Sequence, residues 1–363
     1  MDEMMKTAGT GGERYVPYEE RTGNESIVYF TRDLSAEGLR KLYERVNGGI
    51  QGKVAIKLHT GEQYGPNIIP HEWVEELVKK DLPDATIVET NTWYEGDRDS
   101  TEKHRETLKV NGWTFCPVDI TDDQGDADLP VKGGKWFDHM AVGKTLPDYD
   151  SLVVLTHFKG HTMGGFGGSN KNIGIGCASG KVGKRMIHAR DSQDPEEAWC
   201  VDMEELMERM AESTKATIDY FGKHICYVNV MRNISVSCDC EGCLAEQVVT
   251  PNIGILASTD ILAVDQACVD LIYALDEKTD GAAMRERIES RHGHRQLSYM
   301  QELEMGNRKY LLLDVDEEDA RIQPKDAVRG VVPFVELPIV AERRRKAQEA
   351  LAAAEAAIQA DQQ

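Results

Sequence analysis

The run CDCEGC, residues 238–243, sets Cys238, Cys240 and Cys243 in a C-x-C-x-x-C spacing. Thiols this close rarely pair with one another, and thiolates gathered this tightly bind soft or borderline metals, chiefly iron–sulfur clusters or zinc. A fourth ligand must come from elsewhere. Cys177, in GIGCASG, is the first candidate, ahead of Cys200, Cys226 and Cys268. Cys268 stands in an apolar helical run, where a buried structural cysteine is the expectation. The expected cofactor is an iron–sulfur cluster of the 4Fe-4S kind, with zinc as the alternative. Three protein ligands plus an exogenous one leave an iron open to substrate as a Lewis acid.

A second stretch, HFKGHTMGGFGGSNKNIGIG (157–176), places His157, His161, Lys159 and Lys171 among seven glycines. Glycine lets backbone N–H groups approach an anion closely. Gly164, Gly165, Gly167 and Gly168, with Asn170 and Asn172, therefore read as a cradle for an anionic cofactor or substrate, Lys171 adding charge. The loop is not a phosphate-binding P-loop, because Lys171 sits between two asparagines. Nor does it fit the dinucleotide fingerprint, since no convincing helix starts inside it. His157 and His161 are four apart, but the glycines argue against a helix that would pair them as metal ligands. His188 follows further on.

The third stretch is KVAIKLHTGE, with Lys57, His59 and Glu62 at and beyond the carboxyl end of a strand. Alternation puts Lys57 and His59 on one face. A cation, a base and an acid converging there can move protons. The candidate catalytic residues are thus Lys57, His59, Glu62, His157, His161, Lys171 and His188.

These stretches need a scaffold, and the pattern around them alternates. SIVYF (26–30), KVAIKL (53–58), ATIVET (85–90), SLVVLT (151–156), ICYVNV (225–230), IGILAS (253–258) and KYLLLD (309–314) read as strands. Residues 34–46, 70–82, 100–112, 201–222 and 262–278 show the three- and four-residue apolar spacing of helices. Such alternation predicts an α/β fold, Rossmann-like, with a largely parallel central sheet flanked by helices. In open sheets of this kind ligands bind beyond the carboxyl ends of the strands, where both KVAIKLHTGE and the glycine loop begin. If the sheet is parallel, the two share a rim. Residues 1–24 are polar and expected to be poorly ordered, 25–335 form one domain, and 336–363 read as a C-terminal helix that packs on the body or protrudes.

The chain of 363 residues carries 42 basic and 63 acidic side chains, a net charge of −21. That disfavours nucleic acids and anionic membranes as partners. Against it stands an island from Lys159 to Arg190 with Lys171, Lys181, Lys184 and Arg185 and no carboxylate. An anionic small molecule suits it. No apolar run approaches the roughly 20 residues of a membrane span, and the first fifteen residues lack the apolar core of a secretory signal. A cytoplasmic location is expected.

VAIKLHTGE, THFKGHTMGGFGGSNKNIGIGCAS, CDCEGC and PNIGILASTDILAVDQACVDLI together resemble the family called domain of unknown function 362, in the same order over roughly residues 26–315. Members are often described as iron–sulfur proteins because many carry an inserted ferredoxin module. After IHAR this chain has only an acidic helical segment, so the resemblance implies no ferredoxin-type clusters here and leaves CDCEGC as the metal motif. HTMGGFGGSNK followed by His188 is also similar, more distantly, to nickel-dependent lactate racemases. That resemblance implies Lys171 as the anchor of a nucleotide cofactor, His188 as a metal ligand and His161 as an acid/base; the cofactor itself is not carried over. Three functions follow: a metal-dependent enzyme acting on an anionic small molecule, an electron-transfer protein serving a redox partner, or a small-molecule-binding protein with a structural zinc site. Oligomeric state is left open.

Overall fold

Short β-branched runs fold as buried strands in the computed structural model, which describes residues 12–189 and 201–361; Arg190 and Cys200 lie outside the described residues. The strands are β1 (Ser26–Thr31), β2 (Val54–Lys57), β3 (Thr86–Glu89), β4 (Val118–Ile120), β5 (Asp126–Pro130), β6 (His139–Gly143), β7 (Ser151–His157), β8 (Lys159–His161), β9 (Gly165–Gly167), β10 (Ile225–Met231), β11 (Gly254–Ser258), β12 (Tyr310–Asp314) and β13 (Ala320–Ile322). Nine of them make one sheet in the order β13-β12-β1-β11-β10-β7-β2-β3-β4. Pairing is parallel from β10 through β7, β2 and β3 to β4, and again between β1 and β12. β11 runs antiparallel to both neighbours, and β13 to β12. The fold is α/β with a largely parallel central sheet. Ala55 pairs with Leu152 and Lys57 with Val154, so β2 and β7 end on one rim.

Helices cover both faces. Ala36–Val46, His71–Asp81 and Thr101–Val110 bury Leu39, Leu42, Val74, Leu77 and Leu108 against one face. Met203–Phe221, Ile261–Ala274, Ala282–Ser290 and His294–Glu302 bury a larger cluster against the other. Side-chain caps start several of them: Ser35, Ser100, Asp202 and Asp260 each accept an orphan N–H three residues on.

Two helices depart from the sequence reading, because a helix does start in the glycine loop. Ser169–Gly176 is helical despite Gly174 and Gly176, residues of poor helix propensity. Its first N–H groups are satisfied by tertiary contact: Asp265 accepts from Ser169 N at 2.7 Å and Asn170 N at 2.9 Å. Gly183–Ala189 is the second, and it carries Lys184 and His188.

The described part of the N-terminal segment is also ordered by contact, against the expectation for residues 1–24. The buried carboxylate of Asp270 takes Arg21 Nη2 at 2.6 Å, Tyr310 Oη at 2.6 Å and Tyr15 Oη at 2.9 Å. Tyr18 is buried and donates to the Tyr310 carbonyl. A polar segment thus docks because a buried charge needs its cation. At the other end, helix Pro338–Asp361 packs its first turns beside the cysteine run, with Arg343 over the Tyr64 ring, and exposes Leu351 further along. No described helix is long and apolar enough to cross a membrane.

Replacing Arg21 with Met would leave Asp270 in the core without its cation, held only by the neutral donors Tyr15, Tyr310 and Gln266. Urea denaturation should show a loss of about 3 kcal/mol. An unchanged midpoint would mean that the N-terminal segment is not anchored in this way.

Candidate functional site

The carboxyl ends of β2, β3 and β7 open into a cavity of about 450 Å³. β2 delivers Lys57 to its floor. Lys57 Nζ donates to Glu89 Oε2 at 2.6 Å and to the Leu58 carbonyl at 2.7 Å, with both charged side chains almost fully buried. Glu89, at the end of β3, takes Thr60 N and Oγ1 on its other oxygen, with Arg98 Nη1 at 3.8 Å. Burial would raise the Glu89 carboxyl, but Lys57 and Arg98 outweigh it and hold the group well below the usual range. The space for Lys57 exists because residue 176 is glycine: a Cβ there would lie 2.3 Å from Lys57 Cε.

Beyond β2 the chain His59–Glu62 is pinned from outside. Trp113 Nε1 donates to the Thr60 carbonyl and Asn111 Nδ2 to the carbonyls of Thr60, Gly61 and Glu62. His59 lines the cavity and its Nε2 is a buried nitrogen with no hydrogen-bond partner among the described residues. Burial, with Arg98 nearby, keeps this ring neutral well below the ordinary histidine range. Glu62 does not line the cavity. It binds Arg98 at 2.7 Å and the Tyr94 hydroxyl at 2.8 Å, and so positions two side chains that do.

The glycine loop forms no anion cradle. Gly164, Gly165, Gly167 and Gly168 belong to or flank a tight hairpin, β8–β9, where Gly165 packs on backbone and the others on side chains of the protein. Gly165 has φ +78°, and a Cβ on it would meet Gly293 Cα at 2.9 Å. At Gly168 a Cβ would run into Asp265 at 2.5 Å, the carboxylate that already occupies the helix N-terminus. Asn170 is fully buried and donates to Gln296 away from the cavity. Asn172 lines the cavity and ties the helix to β7 through the Leu155 carbonyl and Thr156 Oγ1.

What the hairpin and helix do present is a set of side chains. His161, Lys171 and His188 all line the cavity, together with Lys159 and Lys184. His161 Nδ1 accepts from Gly164 N at 2.9 Å. His188 Nδ1 donates to the Lys184 carbonyl at 2.8 Å and its ring stacks near Trp93, leaving Nε2 as the basic nitrogen. Burial lowers His188 to about 4. Lys184 Nζ reaches Thr90 Oγ1 at 2.6 Å and the Asn91 carbonyl, and burial lowers it to about 7.

His157 is not on the cavity wall. Both of its partners are acceptors, Asp239 Oδ2 at 2.8 Å and the Arg232 carbonyl at 2.6 Å, so both ring nitrogens donate. Lys159 adds a contact to the same Asp239 oxygen at 3.1 Å. Burial would raise Asp239, yet His157 and Lys159 hold it well below the usual range. The histidine is a strut for the cysteine run, in which Asp239 is the central residue between two thiols.

The four expected metal ligands do not converge. Cys238 and Cys240 line the cavity. Gly242, at φ +54°, turns the chain so that Cys243 Sγ faces the Gln63 and Tyr64 carbonyls at 3.9 and 3.5 Å. Cys177 is buried behind the helix, its nearest charges Lys57, Glu89 and Lys184, and burial pushes its thiol up to about 12. Cys226 and Cys268 are buried in the core. Among the described residues, no three His, Cys, Asp or Glu side chains are gathered to hold a metal ion. As they stand, these thiols are not gathered as the ligands of an iron–sulfur cluster or a structural zinc. Missed by the sequence reading were Glu89, Arg98 and Asp265. Glu89 ends a strand on the same rim, and Asp265 is one of two carboxylates in an otherwise apolar run; Arg98 carries no such signal.

A family model described as Domain of unknown function (DUF362) matches residues 54–270. No curated protein matches the chain. Among solved structures, the lactate racemase apoprotein of Thermoanaerobacterium thermosaccharolyticum is 15% identical with a TM-score of 0.33, over 58% of this chain and 52% of that one. A structural-genomics protein of Thermotoga maritima is 13% identical with a TM-score of 0.31, over 54% of this chain and 49% of its own. This chain thus spans about half the length of the solved structures it matches.

Glu89 and Asp239 are both depressed, so the stability they contribute is fully present above about pH 4, the ordinary carboxylate value, and is lost as pH falls below it. Glu89→Gln should cost about 3 kcal/mol at pH 7, because Lys57 then stays buried without its counter-charge. It should also flatten the acid limb of the urea midpoint plotted against pH. An acid limb identical to wild type would remove Glu89 from the account.

Proposed function

This chain belongs to the family described as Domain of unknown function (DUF362), and we propose that its α/β body is an enzyme that binds an anionic small molecule in the rim cavity and transfers a proton there. The observation that carries the reading is the pair Lys171 and Lys184. Both line the cavity, and among the described residues no carboxylate lies within ion-pair reach of either. The other cations on the wall are answered: Lys57 by Glu89, Lys159 by Asp239, Arg98 by Glu62, Arg287 by Glu246. Lys184 meets only neutral acceptors, Thr90 Oγ1 and the Asn91 carbonyl, and Lys171 meets the Cys238 sulfur, so neither charge is committed to an internal carboxylate and both are open to a bound anion. A carboxylate or phosphate entering between Lys171 and Lys184 supplies the counter-charge to both.

The proton chemistry falls to two neutral imidazoles. Among the described residues His59 Nε2 has no hydrogen-bond partner, and a buried nitrogen of this kind is a natural contact for substrate. His188 lines the same cavity, its ring oriented by the Lys184 carbonyl. A neutral ring can take a proton from a bound acid and return it. Glu89, Asn172 and Asp265 hold the frame and do not react. Among the described residues, no gathered ligand set supports a role in electron transfer.

Titration calorimetry with small mono- and dicarboxylates and inorganic phosphate tests the reading. Saturable binding is expected, weakened at least tenfold, about 1.4 kcal/mol, in Lys171→Met. Because Lys184 titrates near 7, a bound anion should draw a proton onto it above that pH. Affinity then falls as pH rises from 7 to 9, and at pH 8 the heat depends on the buffer's ionisation enthalpy. Lys184→Met should abolish that dependence. A wild-type protein that binds none of these anions would end the proposal.

A further inference from the structure

The cysteine run has a chemistry that metal ligation does not explain. Two donors meet at one sulfur, Cys238 Sγ. Lys171 Nζ lies 3.4 Å from it. The Glu241 N–H bonds it as well, and His161 and Cys240 stand with it on the cavity wall. A neutral thiol is a weak acceptor and does not attract such a set, whereas a thiolate does. The arrangement is also rigid. Asp239 is clamped by His157 and Lys159, Glu241 Oε1 accepts from Cys238 N at 2.8 Å, and Thr162 and Ser237 bind the same carboxylate. Both residues line the cavity, which is the route by which a reagent would come to them.

We propose that Cys238 and Cys240 form a redox-active dithiol that exchanges with a low-molecular-weight disulfide entering through the rim cavity. In the forward direction the Cys238 thiolate attacks one sulfur of R–S–S–R. A Cys238–S–S–R bond forms and one RS⁻ leaves. Cys240 then attacks the Cys238 sulfur, the intramolecular disulfide forms, and the second RS⁻ leaves with the proton given up by Cys240. The protein loses two electrons and the disulfide gains them as two thiols. Two cysteines in one tight turn, both on the cavity wall, approach the ~2.05 Å of a disulfide by side-chain rotation. Lys171 keeps the attacking sulfur ionised and steadies the departing thiolate. This activity goes beyond anion binding and does not require it.

The test uses the full chain, reduced and freed of reductant, with glutathione disulfide as the probe. Free thiols are counted by alkylation and adducts are located by peptide mass. Wild type should lose two alkylatable thiols, Cys238 and Cys240, and keep no adduct. Cys240→Ser should stop at one stable glutathione adduct on Cys238. Although Cys243 is the more exposed, it should react at least tenfold more slowly than Cys238. Lys171→Met should slow adduct formation about tenfold while circular dichroism stays unchanged. If Cys240→Ser misfolds, Cys240→Ala and the wild-type thiol count decide the matter. An adduct on Cys243 as fast as on Cys238, no reaction at either, or iron and sulfide bound to these thiols in anaerobically purified protein each overturns the proposal.

Discussion

Taking a charge out of water costs several kcal/mol unless an opposite charge or a full set of hydrogen bonds answers it, and the rim of this sheet is organised by that demand. Three buried carboxylates do most of the organising. Glu89 draws Lys57, Arg98 and the Thr60 backbone to one point. Asp239 draws His157 and Lys159 and so seats the cysteine run against β7 and β8. Asp265 occupies the N-terminus of the helix Ser169–Gly176 and fixes the bearing of Lys171 and Asn172. None of the three needs to touch a substrate. Each determines where a residue that lines the cavity can stand.

The same demand separates frame from function. Cations whose partner is internal are parts of the frame. Lys171 and Lys184 are not paired in that way, and Lys171 faces a sulfur instead of a carboxylate. Glycine has a part in this too, though not as a cradle. At positions 165, 168 and 176 the missing side chain makes room for a neighbouring backbone, a carboxylate and a lysine stem respectively. An alanine at 176 would displace Lys57 from Glu89 without altering a single charge.

Much of the fold was legible because strand and helix periods are written locally. All seven runs read as strands are strands, and the helices at 34–46, 70–82, 100–112, 201–222 and 262–278 are present with ends shifted by a few residues. The shared rim was legible too, since a parallel sheet puts KVAIKL and SLVVLT side by side. What sequence could not express was direction. Spacing alone makes Cys238, Cys240 and Cys243 equivalent, but the turn at Gly242 sends the last one outward. Seven glycines look the same whether an anion or another strand lies beside them. The helix inside that loop was hidden because its cap, Asp265, lies far away in the chain. Residues 12–24 looked loose for a similar reason: Asp270, which holds them, is remote in sequence.

The strand order has a consequence for how the molecule is made. β1 emerges first during synthesis, yet its partners β11 and β12 come near the end. The strands β2, β3, β4, β7 and β10 can pair in parallel as they appear, leaving β10 as an open edge in the meantime. Contacts of such long sequence separation form slowly, and an unpaired edge invites other chains. The nascent protein therefore passes through a stage in which half a sheet waits for its first strand, and closure of that sheet is the step at which misassembly competes with folding.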